Sequence, residues 1–194
     1  MGAALAGAAL IVLYVIARVT KREAVARITL RLLFAGAGLY AVVFLVTSIA
    51  SRNRVLAPGD EKHICEIDCH LAYSVAAAKA EALPSGRLRE IVTVKVRFDE
   101  ATISARRPRD ATLTPNSRYV ALVDDAGNQC PGSADRLKRT LIPGESYTTN
   151  IVFDVPAAAK GLRLVLRNDD PETTFIIGHE NSLFHGKTTF RLPG

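Results

Sequence analysis

The stretch "VTVKVRF", residues 92–98, gives the clearest indication of the fold because its side chains alternate strictly between apolar and polar. The apolar positions are Val92, Val94, Val96 and Phe98. A period of two places one face of a β-strand in a protein core and the other face in water. The stretch therefore predicts a strand that is buried on one side only.

The same alternation recurs in the second half of the chain, at residues 151–155, 162–166 and 188–192. At the second of these, Arg163 and Arg167 fall on the outward face, opposite the leucines. Turn-forming residues separate these segments, as in "DDAGN" at 124–128 and in several Pro-Gly pairs. Six to eight short strands with such turns predict an all-β antiparallel sandwich, immunoglobulin-like in architecture, over residues 62–194. One alanine-rich stretch, residues 76–90, leaves open a strand tail, a short helix or a surface excursion.

Three segments carry a resemblance to a known group of proteins. They read, in order, "PNSRYVALVDDAGNQCPG", "LIPGESYTTNIVFDVP" and "GLRLVLRNDD". The hairpin, the Pro-Gly turn and the strand ending in "VFDVP" resemble those of bacterial membrane-anchored immunoglobulin-like (β-sandwich) domains of unknown function. The resemblance covers roughly residues 90–192, and its motifs are mainly structural. It implies an extracytoplasmic sandwich and supplies no catalytic residues.

Two charge-free apolar runs at the N-terminus predict a transmembrane helical hairpin over residues 1–50. A bilayer core about 30 Å thick needs roughly 17 to 25 apolar residues in a helix. The runs therefore predict spans at about residues 3–18 and 32–50, joined by a basic loop over 18–31 and followed by a linker over 51–61. A cleaved signal peptide is the alternative for the first run, but only Met1 and Gly2 stand before it.

The charge distribution predicts the orientation of this hairpin. Residues 18–31 carry five basic side chains and one acidic side chain, which accounts for most of the net charge of +6. Short basic loops stay on the cytoplasmic side of a membrane, so both termini are expected outside. We therefore expect a multi-pass protein of the bacterial inner membrane that contacts lipid, and no nucleic-acid partner.

The segment "KHICEIDCHLAY", residues 62–73, holds most of the chemically reactive side chains. Its alternation predicts one continuous strand, with His63 and both cysteines on the apolar face and His70 on the outward face. Residues four apart in a strand are roughly 13 Å apart, which is too far for Cys65 and Cys69 to share a disulfide or a metal ion. The favoured interpretation is structural, with buried thiols or a disulfide between Cys130 and either Cys65 or Cys69.

Metal binding is the main alternative for this segment. Thiolate and imidazole ligands suit copper and zinc. The candidate ligands are His63, Cys65, Cys69, His70, His179 and His185. A c-type haem site is disfavoured because Cys-x3-Cys-His is one residue longer than the usual attachment motif. A reactive dithiol is a further alternative, although an extracytoplasmic location would oxidise it.

Catalytic motifs are absent from the sequence. The polar segment 178–187 lacks the HExxH spacing of metalloproteases, and neither a GxSxG motif nor a glycine-rich phosphate loop occurs. We therefore expect no enzyme and no resident cofactor. The expected role is an interaction or accessory module that binds a protein partner in a membrane or envelope complex. Extracytoplasmic copper binding or delivery is the alternative, and a sensory role is weaker because the chain offers no cytoplasmic output domain.

Overall fold

The computed structural model describes residues 2–64, 69–103, 108, 110–116 and 118–193. Two helices come first, α1 over Gly2–Val19 and α2 over Glu23–Ala50. The chain turns between them at residues 20–22, where Lys21 has a φ of 58°. The two helices pack against each other, with Ala17, Ala26 and Thr29 buried.

The basic segment predicted as a loop over 18–31 is mostly helical. Arg27 and Arg31 lie on the first turns of α2, and Arg18 forms an ion pair with Glu23 across the short turn. At 1.5 Å per residue the 28 residues of α2 are about 42 Å long. By length and composition α2 could cross a membrane, whereas Ala4–Val19 is a shorter apolar helix.

In the described part of the chain, nine strands follow the helices and form two sheets. Their bounds are β1 Arg54–Leu56, β2 Lys62–Ile64, β3 Leu71–Ala82, β4 Arg87–Phe98, β5 Arg118–Val123, β6 Gln129–Pro131, β7 Ser146–Pro156, β8 Arg163–Asn168 and β9 Thr188–Arg191. The five-stranded sheet has the order β1-β9-β8-β5-β6, and the four-stranded sheet has the order β2-β3-β4-β7. The predicted β-sandwich is confirmed.

The prediction of a purely antiparallel sandwich is wrong at one edge. Strand β1 runs parallel to β9, with Arg54 opposite Thr188 and Leu56 opposite Phe190. These strands are far apart in sequence, so no hairpin turn fixes their relative direction. Strand β1 also falls within the predicted linker 51–61, which therefore belongs in part to the sheet.

The strands predicted from alternation are present as β4, β7, β8 and β9. Within the alanine-rich stretch 76–90, residues 76–82 are the tail of β3 and residues 87–90 begin β4, with Ala82 opposite Leu88. A bulge between Val75 and Ala77 shifts the register of this pair. Alanine and lysine are weak strand formers, so pairing with β4 outweighs their local preference here.

The core lies between the two sheets and contains the inward faces of both. Phe98, Phe153 and Phe190 are at most 1% exposed. Burial of each such ring stabilises the fold by roughly 1.5–3 kcal/mol. The valines of the opening stretch, Val92, Val94 and Val96, contribute the same face of β4 to this core.

Hydrogen bonds connect helix α2 and its C-cap to the sandwich. The amide of Gly186 donates to Oγ of Ser51, the C-cap residue that follows α2, at 2.6 Å. Within α2, ten residues before its end, the hydroxyl of Tyr40 donates to the carbonyl of Phe175. Both partners lie in the connection between β8 and β9, residues 169–187, which we call the β8–β9 connection. This connection therefore contacts both the helix and the sheet.

Candidate functional site

The predicted Cys/His strand is instead a hairpin. Strands β2 and β3 pair antiparallel, with Lys62 opposite Tyr73 and Ile64 opposite Leu71, so the chain reverses between residues 64 and 71. The reversal changes which residues face the core. His63 was predicted on the apolar face and is exposed, whereas His70 was predicted outward and is only 7% exposed.

The cysteines do not form the predicted bond. Cys69 is exposed and disulfide-bonded, while Cys130 is a free thiol. Cys130 lies on the edge strand β6 of the five-stranded sheet and packs against the core, whereas Cys69 precedes β3 of the opposite sheet. The predicted disulfide of Cys130 is therefore not formed. Cys65 lies outside the described residues.

The four histidines have separate local partners. The bonds are His63 Nε2 to Asp99 Oδ2 at 3.0 Å, His70 Nδ1 to Thr102 Oγ1 at 2.6 Å, Asn181 N to His179 Nδ1 at 3.0 Å, and His185 Nδ1 to the Gly186 carbonyl at 2.8 Å. Among the described residues, no group of three or more His, Cys, Asp or Glu side chains is placed to hold a metal ion. A metal site in this segment therefore stays a prediction.

A polar cluster at the end of β4 connects that strand to the β2–β3 hairpin. Arg97 donates to both carboxylate oxygens of Glu61 and to Asp99. Hydrogen bonds from Arg97 and His63 lower the pKa of the Asp99 carboxyl to about 2. Arg97 also lowers the pKa of Glu61. Both carboxylates of this cluster accept hydrogen bonds from Arg97, which indicates a structural role.

A buried ion pair fixes the β8–β9 connection to the sandwich. The ammonium of Lys62, only 7% exposed, donates to Glu180 at 2.6 Å and to the carbonyls of Leu166 and Thr188. Burial lowers the pKa of Lys62, and the charge of Glu180 opposes this effect. Lys62 belongs to the four-stranded sheet and its carbonyl partners to the other, so this side chain connects the two sheets.

Asn181 connects the same segment to the outer face of the five-stranded sheet. Its amide nitrogen donates to the Asn168 carbonyl at 2.7 Å and to Thr173 Oγ1 at 2.9 Å, while its oxygen accepts from Arg167 at 3.0 Å. The ammonium of Lys187 donates to the Glu180 carbonyl. Asparagine supplies both donors and acceptors, which suits it to this joint.

These contacts leave a depression on the outer face of the five-stranded sheet, with a volume of about 520 Å³. We call it the cationic groove. It is lined by Asn53, Val55, Tyr119, Val123, Gln129, Arg163, Val165, Arg167, Asn181, Ser182, Leu183, Phe184, Lys187 and Thr189. Three of these residues are cationic and, in the part of the chain that the structure describes, none is acidic. The floor is aliphatic and aromatic.

The cations of the groove are held in defined positions. Arg167 stacks over the ring of Tyr119, with 4.5 Å between the guanidinium carbon and the ring centroid. Arg163 lies two side-chain repeats before Arg167 on the same face of β8, and its guanidinium is 3.5 Å from Oδ1 of Asp125, which does not line the groove. Burial lowers the pKa of Lys187, and the charge of Arg167 lowers it further. Such a set suits an anionic group carried on an apolar body.

The alternation in "LRLVLR" already placed Arg163 and Arg167 on the outward face of their strand. The groove was nevertheless missed, because Tyr119 and Lys187 come from strands and segments that are distant in sequence. The pairing of β5 with β8 brings these residues together, since Tyr119 is opposite Arg167 and Val123 is opposite Arg163 in the sheet.

Comparison with known proteins gives fold likenesses only. No family model and no curated protein matches the chain. A secreted protein of Mycobacterium tuberculosis, MPT63, is similar at 14% identity with a TM-score of 0.47, covering 73% of this chain and 99% of that one. An uncharacterized β-sandwich protein of Clostridium difficile is similar at 9% identity with a TM-score of 0.44, covering 74% and 96%.

Proposed function

We propose that this chain is a non-catalytic, membrane-anchored β-sandwich that acts as an interaction or accessory module on the outer face of a bacterial inner membrane. Helices α1 and α2 form its multi-pass anchor, and the basic turn between them lies on the cytoplasmic side. The sandwich, immunoglobulin-like in its two-sheet architecture, is the extracytoplasmic binding part.

The cationic groove carries the proposal for how the module binds. Two guanidinium groups and one ammonium group meet there over an aliphatic and aromatic floor. The ligand class that fits is an amphiphilic anion, such as a phosphate or carboxylate attached to an alkyl chain. A membrane lipid and a soluble envelope metabolite could both supply this chemistry.

Hexyl phosphate is a suitable probe, because its short chain partitions weakly into lipid. Titration calorimetry on the full chain in nanodiscs is expected to show binding. Inorganic phosphate and hexanol, which each lack one half of the probe, are expected to bind more weakly. Replacement of Arg163 and Arg167 by alanine should weaken binding by about tenfold for each lost charge-assisted bond.

Arg89→Ala is the matched control, since Arg89 is an exposed arginine on β4 of the opposite sheet. Its affinity for hexyl phosphate should equal that of the wild type. Equal affinity in the Arg163/Arg167 double variant would show that the groove does not bind this ligand class. Purification in mild detergent tests the accessory role separately, because a chain that is always recovered alone argues against a protein partner.

A further inference from the structure

The β8–β9 connection exposes an apolar surface that the sandwich does not use. Phe184 is 73% exposed and Phe175 is 65% exposed, and both are flanked by a half-exposed aliphatic residue, Leu183 and Ile176 respectively. We call these four residues the apolar tip. The same domain buries its other three phenylalanines almost completely. Exposed aromatic rings grouped in one loop mark an interaction surface.

The two halves of the apolar tip are held together by hydrogen bonds. The hydroxyl of Ser182, a buried residue, donates to the carbonyl of Ile176, and the amide of Ser182 donates to the carbonyl of His179 at 2.9 Å. Phe184 has a φ of 63°, a left-handed conformation that is unfavourable for a bulky residue. The surroundings therefore hold this ring outward at a cost in backbone energy.

The apolar tip lies beside the apolar helix. The Tyr40 hydroxyl donates to the backbone carbonyl of Phe175, within the tip itself. Tyr40 is ten residues before the end of α2, or about 15 Å along its axis. The helix carries no charge from there to Ala50, and Arg52 is the first charged residue after it. Any lipid around this part of α2 would therefore also meet the tip.

We propose that the apolar tip inserts into the outer leaflet of the bilayer beside α2 and makes a second membrane contact besides the helices. This inference rests on the membrane anchoring proposed above. Aromatic and aliphatic side chains in the leaflet gain from burial, while neighbouring cations reach toward the headgroups. Leu183 and Phe184 also line the cationic groove, so an inserted tip would bring that groove close to the lipid.

The absence of tryptophan from the sequence gives a direct test. Phe184→Trp places a single fluorophore at the tip. Val152→Trp is the control, because Val152 is 49% exposed on β7 of the opposite sheet. The full chain is reconstituted into phosphatidylcholine–phosphatidylglycerol vesicles, and quenching by aqueous acrylamide is compared with quenching by lipids brominated on the acyl chain. Phe175→Trp serves as a second tip reporter should F184W not fold.

We expect tip tryptophans to show blue-shifted emission and at least about twofold stronger quenching by brominated lipid than V152W, since the tip contacts Tyr40 within the apolar part of α2. Equal quenching of tip and control tryptophans by acrylamide, in chains that float with the vesicles, would overturn the inference while leaving the anchor intact. A chain that does not float with vesicles overturns the anchor and the inference together.

Discussion

Asp99 is the residue on which the β2–β3 hairpin and the end of β4 converge. Its carboxylate accepts from Arg97, from the His63 ring and from the amide of Ala101, where it caps a short 3₁₀ helix. These interactions favour the charged form. They lower the pKa of Asp99 from 3.8 to about 2, with the Arg97 hydrogen bond as the largest cause.

The depressed pKa predicts how the stability contribution of Asp99 depends on pH. A carboxyl whose folded-state pKa is lowered stabilises the protein above its unfolded pKa, and this contribution is lost as pH falls through the folded value. Asp99→Asn keeps the cap but removes the charge. It should lower the free energy of unfolding by about 1 kcal/mol at neutral pH, since the site is partly solvated.

Urea unfolding followed by circular dichroism at a series of pH values checks this expectation. The difference between wild type and D99N should shrink as pH falls from about 4 to about 2. Asp169→Asn, at an exposed position, is the control and should change stability little at any pH. A D99N effect that stays constant down to pH 2 would contradict the assigned role of the charge.

At the residue scale, the sequence could not predict which way His63 and His70 face. Their alternation continues across the hairpin as though the chain were straight, because nothing in "ICEIDCH" resembles a strong turn signal. The even or odd number of residues in a connection decides the facing of everything after it. The outward arginines of β8, by contrast, were predicted correctly, since their strand is uninterrupted.

Among the elements, the β8–β9 connection depends on one close approach of backbone to backbone. A Cβ at Gly186 would lie 2.4 Å from the carbonyl carbon of Arg52 and 2.8 Å from the amide nitrogen of Asn53. Neither atom can rotate away as a side chain could. Glycine is therefore required where the end of this connection passes the chain that leaves α2.

Gly186→Ala should separate these two segments and break the hydrogen bond to Ser51. We expect a loss of about 1–3 kcal/mol in unfolding free energy, as for other overpacked sites. Trypsin should also cleave faster at Arg52 and Arg54. Thermal unfolding and limited proteolysis in detergent measure the two effects.

Gly38→Ala adds the same methyl group where it would meet nothing within 4 Å, and it should leave both readouts close to wild type. Slow cleavage at Arg52 in G186A, together with an unchanged melting temperature, would show that the close approach does not constrain the connection.

Strands could be predicted where the alternation within one segment is enough to identify them. They could not be predicted where pairing with a distant segment determines that a strand forms. The alternation of the β4 valines and of the residues of β7 is by itself enough to indicate half-buried strands. Strand β1 has only three residues, and it exists because the free edge of β9 pairs with it. Its sequence, "RVL", carries no signal of that partner.

For the whole molecule, the basic residues near the helix turn predict the orientation in the membrane. Lys21 and Arg22 are exposed in that turn, while the sandwich follows the second helix. External trypsin applied to spheroplasts should therefore degrade the sandwich and spare the bond between Lys21 and Arg22. Inverted vesicles should give the opposite pattern, because short basic loops stay in the cytoplasm.

Immunoblotting with antibodies to each end of the chain would resolve these fragments. A periplasmic and a cytoplasmic marker protein, probed in the same samples, report whether the membranes are sealed. Protection of the sandwich in sealed spheroplasts would contradict the proposed topology.

Only residues 51–53 separate the end of α2 from β1. Three extended residues reach roughly 10 Å, so the linker keeps the sandwich close to the end of α2. With its helices in a bilayer, the module would sample a thin film beside the lipid surface rather than a volume. Molecules confined to that film would reach it at a high local concentration, and even millimolar affinity would then suffice for frequent capture.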